Sequence, residues 1–297
     1  MPARDFGSRL GVRVFCRLLG LLPRRLVYAL ALLPVCWYVL TRPDVRRASK
    51  SYRARLESGR VKPSPLLFAL RQAAAYSRAI LDNIYLGTFG PQRFDIDFTG
   101  TRRLRAALDR NRGLVLLSAH AGNWHLAVNF LGRTGARAHL VTDEVRSAEV
   151  RWAMDAAKRR AAHLDVHDAR SGPGLALELK LALQRGETVI LAGDRPWKGA
   201  RSLEVDLLGS PVRVPALPFA LARSSGAPLC LGLAFSTGMQ SYRTVAIGPL
   251  GDDIAPDSRD GDQITARRFA RALSEQIRLR PEQWYNFYDF WGDTARS

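Results

Sequence analysis

Short apolar runs alternate with stretches of helical period along most of the chain. The short runs predict buried strands, and a strict apolar and polar alternation at 94–98 predicts a half-buried strand. The predicted strands are 94–98, 114–118, 138–142, 188–192, 202–208, 212–214, 228–235 and 244–247. The predicted helices are 44–60, 66–89, 102–111, 147–162, 175–184, 217–224 and 264–280. This order favours an α/β fold in which helices cover both faces of a sheet.

The strand predicted at 114–118 leads into a small polar turn and then into an apolar pattern of helical spacing. His120 lies at the tip of this strand-turn-helix elbow. Ligands are handled at the carboxyl ends of strands in open α/β sheets, so this titratable side chain is a candidate site residue. The alternative is a histidine satisfied by local hydrogen bonds at a turn. Ser118 shares its side of the strand, but without a Gly-x-Ser-x-Gly elbow we expect it to pack.

The first 62 residues combine the most apolar segment with a strong excess of positive charge. The run 26–40 has no charged residue, is shorter than the roughly 20 residues of a spanning helix, and contains Pro34, which we expect to interrupt a helix. No small-residue cleavage site follows Leu40, which argues against a cleaved signal peptide. We therefore expect residues 1–62 to form an in-plane or partly inserted membrane anchor and 63–297 to form the main domain. A buried pair of core helices is the alternative.

The whole chain of 297 residues carries 45 Lys and Arg against 27 Asp and Glu, a net charge of +18. Such an excess predicts an anionic partner. Residues 1–62 hold 14 of the basic residues and only three acidic ones. Basic residues beside an apolar segment favour an anionic membrane surface, and without interleaved aromatics or a reading helix we expect no nucleic-acid partner. The three scattered cysteines, Cys16, Cys36 and Cys230, suggest neither disulfides nor zinc, and indicate a reducing compartment.

Four blocks of sequence, in order, resemble one family. His120-Ala-Gly-Asn-Trp-His125 is similar to the His-x4-Asp/Glu motif of the lysophospholipid acyltransferase superfamily, in the His-x-Gly-Asn-Trp-Glu form of its lipid A biosynthesis (lauroyl and myristoyl) acyltransferase branch. Gly193-Asp-Arg195 with the strand pair after it, the segment 219–228, and the ending 280–291 with its Pro-x-Gln-Trp pattern also resemble that branch. The resemblance covers about residues 66 to 291.

The resemblance implies a mixed central sheet flanked by helices, similar to glycerol-3-phosphate acyltransferase, behind an N-terminal membrane-associated segment. It implies transfer of a fatty acyl chain from an acyl carrier protein or coenzyme A thioester to a hydroxyl or amine of a lipid acceptor. No other cofactor and no metal is expected. The protein would act at the cytoplasmic face of the inner membrane. His120 would be the general base, and amides at the start of the following helix could stabilise an oxyanion.

The chain departs from the family at the acidic position of the motif, where it has His125. A neutral imidazole can accept an orienting hydrogen bond but supplies no negative charge to stabilise an imidazolium. Three explanations are open: His125 suffices as the orienting group, Asp194 supplies the charge, or the protein is a weak or inactive lipid-binding member of the family. We expect a mixture of the first two.

Other candidates have weaker signals. Gly122, Asn123 and Trp124 match the motif, and we assign them to the turn and to substrate binding. Arg146 and Arg195 are candidates for holding a phosphate of the carrier or of a lipid headgroup. The remaining histidines, His139, His163 and His167, have no partners at metal spacing, and we expect them to be surface or incidental residues. We expect the aromatic residues of 284–291 to pack in the core or an interface.

Overall fold

A seven-stranded mixed sheet forms the centre of the protein. The computed structural model describes residues 20–56, 63–109, 112–123, 126, 137–142, 164–172, 174–197, 199–255 and 257–294. The strands are β1 (Asp95–Asp97), β2 (Leu114–Ser118), β3 (Ala138–Thr142), β4 (Leu164–Asp168), β5 (Thr188–Ala192), β6 (Ser202–Leu207), β7 (Ser210–Pro215), β8 (Leu229–Gly238) and β9 (Ser241–Ile247). The helices are α1 (Arg24–Thr41), α2 (Pro43–Arg55), α3 (Pro65–Phe89), α4 (Arg102–Leu108), α5 (Gly174–Gln184), α6 (Leu217–Ser225), α7 (Gly261–Leu279) and α8 (Phe290–Thr294).

The strand order is β1-β9-β8-β2-β5-β3-β4. Every neighbouring pair is parallel except the β8–β9 hairpin, which is antiparallel. β6 and β7 form a separate antiparallel pair, as the sequence predicted. The mixed α/β fold expected from the sequence is therefore present.

The centre of the sheet is its most apolar part. All five residues of β2 are buried, and the neighbouring strand β5 is buried from Thr188 to Leu191. Unbroken apolar runs are typical of parallel strands covered on both faces. On one face α7 places Phe269 and Leu273, both without solvent exposure, in the same cluster as Trp284. A rigid core thus lies directly below the carboxyl ends of β2 and β5.

Two local expectations need correction. Pro34 lies inside α1 without ending it, because the helix continues to Thr41. β4 was not predicted, although Leu164 and Val166 alternate with polar residues; its partly exposed, polar composition at the sheet edge made the signal weak. The helix predicted at 147–162 falls outside the described residues.

Helix α1 packs one side against α3 and leaves the rest of its apolar surface open. Val27, Val35 and Val39 are buried, whereas Leu33 and Trp37 are 70% and 72% exposed. Within the described ranges, α1 alone has the length and mean hydropathy of a candidate membrane span, and only 11% of it is buried. That exposure does not fit a core helix, so the buried-pair alternative fails for this segment.

Candidate functional site

The register of the two central strands brings His120 and Asp194 together. Ser118 at the end of β2 pairs with Ala192 at the end of β5. The amide of Gly193 then donates to the carbonyl of Ser118 at 2.8 Å, so the two chains leave the sheet side by side. Because His120 and Asp194 each follow their strand by two residues, their side chains meet at the carboxyl edge of the sheet.

Two hydrogen bonds join this pair. The Nδ1 atom of His120 lies 2.9 Å from Oδ1 of Asp194, and the backbone amide of His120 donates to Oδ2 at 3.1 Å. Trp284 adds a third bond, from its indole Nε1 to Oδ2 at 3.2 Å. Asp194 has no solvent exposure, whereas the His120 side chain is 31% exposed. These hydrogen bonds thus hold the buried carboxylate of Asp194 in place, whereas the imidazole of His120 is partly exposed.

The electrostatics favour an ionised Asp194. Burial by itself raises the pKa of this carboxyl, but the charge and hydrogen bonds of His120, together with the charge of Arg195, lower the pKa below its ordinary value. Hydrogen bonds to the charged form of a carboxylate stabilise that form. Asp194 is therefore a fixed negative charge beneath the imidazole.

Gly122 shapes the turn after His120. Its φ is +68°, and a Cβ atom there would lie 2.1 Å from the carbonyl oxygen of Ala234. Two backbone hydrogen bonds attach the turn to neighbouring segments. The amide of Gly122 donates to the carbonyl of Gln283, and the amide of Asn123 donates to the carbonyl of Ala234, each at 2.7 Å. Only glycine fits here, because the backbone is left-handed and touches β8.

These bonds bear on where an oxyanion can be stabilised. The amides of His120, Gly122 and Asn123 all donate within the protein. They are therefore not free for a substrate oxygen. The amides expected at the start of the following helix lie beyond Asn123, largely outside the described residues.

Asn123 is a buried residue, 2% exposed, rather than a side chain at the surface. Its side chain hydrogen-bonds Tyr242, whose hydroxyl donates to Asp82 at 2.5 Å. Burial raises the pKa of Tyr242 well above its ordinary value, so this tyrosine remains a neutral donor. Asn123 therefore connects the motif turn to β9 and α3, while its own Oδ1 has no hydrogen-bond partner among the described residues.

Arg195 lies next to Asp194 but is already engaged by the protein. Its Nη2 donates to the carbonyl of Tyr285 at 2.6 Å, and its guanidinium carbon lies 5.0 Å from the centre of the Tyr288 ring. Its Nε is 3.9 Å from Asp194 Oδ2. Arg195 thus joins the aspartate turn to the segment 284–291.

The remaining candidates Trp124, His125 and Arg146 lie outside the described residues.

The segment 284–291 contributes more to the site than its predicted packing role. The amide of Tyr285 donates to the carbonyl of His120 at 2.8 Å, and Trp284 reaches Asp194. The Trp284 ring itself is fully buried, and its centre lies 4.9 Å from the centre of the Tyr52 ring of α2. Sequence reasoning missed the link because a tryptophan donates only one hydrogen bond, and its target depends on tertiary structure.

His139 is buried and not at the surface, and it forms a hydrogen-bonded chain with His167 and Glu187, whereas His163 lies outside the described residues. His139 is 3% exposed, and its two ring nitrogens lie 3.0 Å from His167 Nε2 and 2.7 Å from Glu187 Oε2. His139 is the second residue of β3, His167 the fourth residue of β4, and Glu187 immediately precedes β5, so these three residues are separate from the His120 site. Across the described part of the chain, no group of three or more His, Cys, Asp or Glu side chains has metal-binding geometry.

A buried carboxylate behind a surface imidazole, at the carboxyl edge of an α/β sheet, is an arrangement typical of general-base enzymes. Residues 69–292 match the family model of bacterial lipid A biosynthesis acyltransferases, and the chain belongs to this family. The protein is thus an acyltransferase that acts on lipid-like acceptors. A comparison with curated proteins finds no matching relative.

Proposed function

We propose that this acyltransferase moves a fatty acyl chain from an acyl carrier protein or coenzyme A thioester to a hydroxyl or amine of a membrane lipid or glycolipid. His120 is the general base, and Asp194, rather than His125, supplies the negative charge behind it. The hydrogen bond between His120 and the buried Asp194 is the observation that carries this proposal.

Asp194 fixes the tautomer that the reaction needs. A carboxylate only accepts hydrogen bonds, so the Nδ1 atom of His120 carries the proton and Nε2 has a free lone pair. Nε2 can then take the proton of the acceptor hydroxyl as its oxygen attacks the thioester carbonyl. The tetrahedral intermediate collapses with cleavage of the carbon–sulfur bond, and the imidazolium returns the proton to the departing thiolate.

The positive charge formed on His120 during attack needs compensation. Asp194 is the buried anion hydrogen-bonded to the ring, and the bond from Trp284 helps to hold it in place. The role is comparable to that of the aspartate in a serine-protease triad. A second imidazole at position 125 has no charge to offer, so it cannot replace this interaction.

The N-terminal helix supports the proposal that the substrates remain in a bilayer. The exposed apolar side of α1 and the basic residues around it support association with an anionic membrane surface. The reducing compartment inferred from the cysteines and the carrier thioesters as donors support the cytoplasmic face of the inner membrane. An interfacial enzyme can acylate a lipid without extracting it from the membrane.

The direct test uses purified full-length protein, isotope-labelled acyl donors on either carrier, and total membrane lipid. We expect a labelled lipid from the native protein and a loss of turnover on the order of 10²- to 10⁴-fold for His120→Ala. Turnover unchanged in His120→Ala would exclude this residue as the base. Donor and acceptor binding without any labelled product from the native protein would instead indicate a non-catalytic lipid-binding relative.

A further inference from the structure

A second polar site lies at the other end of the N-terminal helices. A cavity of about 230 Å³ opens where the start of α1, the end of α3 and the β8–β9 turn meet, and its polar walls include Arg24, Arg93 and Gln240. It is smaller than the roughly 300 Å³ at which small-molecule sites usually begin. The volume suits a single charged group better than an acyl chain or a whole cofactor.

Arg24 is held rigidly in the wall of this cavity. Its guanidinium carbon lies 4.2 Å from the centre of the Tyr85 ring and 4.5 Å from that of Phe94. Its Nη1 atom is buried and has no hydrogen-bond partner among the described residues. Because this nitrogen has almost no accessible surface, the rest of the partly exposed Arg24 side chain lines the cavity and carries the positive charge there.

The carboxylate within electrostatic reach of Arg24 is engaged by other groups. Asp82 interacts electrostatically with Arg24, but its Oδ1 accepts the hydroxyl of Tyr28 and its Oδ2 that of Tyr242. Those bonds hold the carboxyl within the helix packing. Among the described residues, Arg24 therefore has no direct ion pair, and an anion in the cavity would compensate its charge.

The start of α1 is a second, independent sign of a missing anion. Helix α1 has 18 residues, no side-chain cap and no acidic residue in its first turn, which instead carries Arg24 and Arg25. Positive charges at the positive end of a helix dipole repel it, whereas an anion there is stabilised. An anion in the cavity would compensate both the dipole and the arginines.

We propose that this cavity binds the phosphate group of a membrane lipid, with Arg24 and Arg93 as the cationic contacts and Gln240 as a neutral one. A lipid is favoured as the source because Leu22 lines the same cavity and begins the exposed apolar surface of α1. Acyl chains can follow that surface while the headgroup phosphate enters the cavity. The site is separate from His120, and its test measures binding, so it stands or fails independently of the proposed acyl transfer.

The experiment measures flotation of full-length protein with phosphatidylcholine vesicles that contain phosphatidic acid, or oleic acid at matched surface charge. We expect stronger binding to the phosphatidic acid vesicles, and a loss for Arg24→Gln about tenfold greater than for Arg25→Gln. Arg25 is the matched control, since it is the next residue of the same turn but exposed and outside the cavity. A diffuse surface attraction would weaken binding about fivefold for either arginine.

Equal losses in the Arg24 and Arg25 variants, or equal binding of the native protein to both vesicle types, would overturn the proposal. Arg93→Gln provides a second readout at an exposed position that does not affect the packing, and should weaken binding in the same selective way. Titration of inorganic phosphate without vesicles distinguishes the source. Tight binding of free phosphate that is lost in Arg24→Gln would assign the cavity to a soluble ligand and overturn the lipid assignment.

Discussion

The Nδ1 atom of His120 lies 2.9 Å from Oδ1 of Asp194, a residue 74 positions further along the chain. The acidic partner thus comes from the end of the neighbouring strand and not from the motif that contains the histidine. This relationship offers a physical reason why an acyltransferase can have histidine at position 125: the negative charge is already provided from below.

The first prediction compares the two possible partners of His120. Asp194→Asn keeps the shape of the side chain but removes its charge and allows the wrong imidazole tautomer, so we expect kcat to fall on the order of 10²- to 10⁴-fold. His125→Ala should cost about tenfold or less, and His125→Glu should preserve activity. Steady-state acyl transfer measures all three, and a His125→Ala loss as large as that of Asp194→Asn would contradict the assignment.

The second prediction concerns the turn that carries the site. Gly122→Ala should destabilise the fold by about 1–2 kcal/mol from the left-handed backbone alone, with a further cost from contact with the carbonyl of Ala234. Gly209→Ala is the matched control, because Gly209 has a φ of +79° and open space around its Cβ position. Thermal unfolding should therefore show the larger loss at Gly122; equal losses would mean that β8 does not constrain the turn.

The third prediction concerns Glu187, the carboxylate that is hydrogen-bonded to the buried His139. Hydrogen bonds from Arg185, and then from His139, lower the pKa of Glu187 from 4.5 to about 2 against the opposing effect of burial. Because the folded-state pKa lies below the unfolded value, the ionised carboxylate stabilises the fold above about pH 4.5, and this contribution is lost as the pH falls toward 2.

Glu187→Gln should therefore flatten the pH dependence of unfolding across that acidic range. Glu275→Gln is a suitable control, since Glu275 is 55% exposed and pairs with Arg271, one helical turn away. Chemical denaturation at a series of pH values measures the effect. Parallel curves for the native protein and Glu187→Gln would show that the carboxylate does not contribute through its ionisation.

The fourth prediction tests the exposed side of α1. Leu33→Ser combined with Trp37→Ser should weaken vesicle binding about tenfold or more, because each side chain would otherwise bury apolar surface in the bilayer. Stability should change little, since both residues are largely exposed. Leu177→Ser, at a 61% exposed leucine of α5, should leave vesicle binding unaltered. Equal binding by all variants would exclude α1 as the membrane contact.

The pattern of apolar and polar residues predicted most of the helices and strands, and the strand-turn-helix elbow indicated His120 as a candidate site residue. The apolar runs that became β3 and β5 predicted those strands to the residue, and the run that became β2 predicted its first residue, because fully buried strands leave a continuous local signal. The sequence pattern did not predict the edge strand β4 or the continuation of α1 through Pro34. Packing against neighbouring elements overrides weak local preferences at both places. The four blocks of sequence that resemble the family indicated acyl transfer from the sequence alone.

The groups that surround His120 are set by contacts between distant parts of the chain. The parallel register of Ser118 with Ala192 places Asp194 beneath the imidazole, and the closing segment brings the Trp284 indole to the same carboxylate. Neither contact has a local signature, because each joins residues 74 or more positions apart. A motif can show that a base is present, but the charge that supports it depends on which strand ends lie side by side.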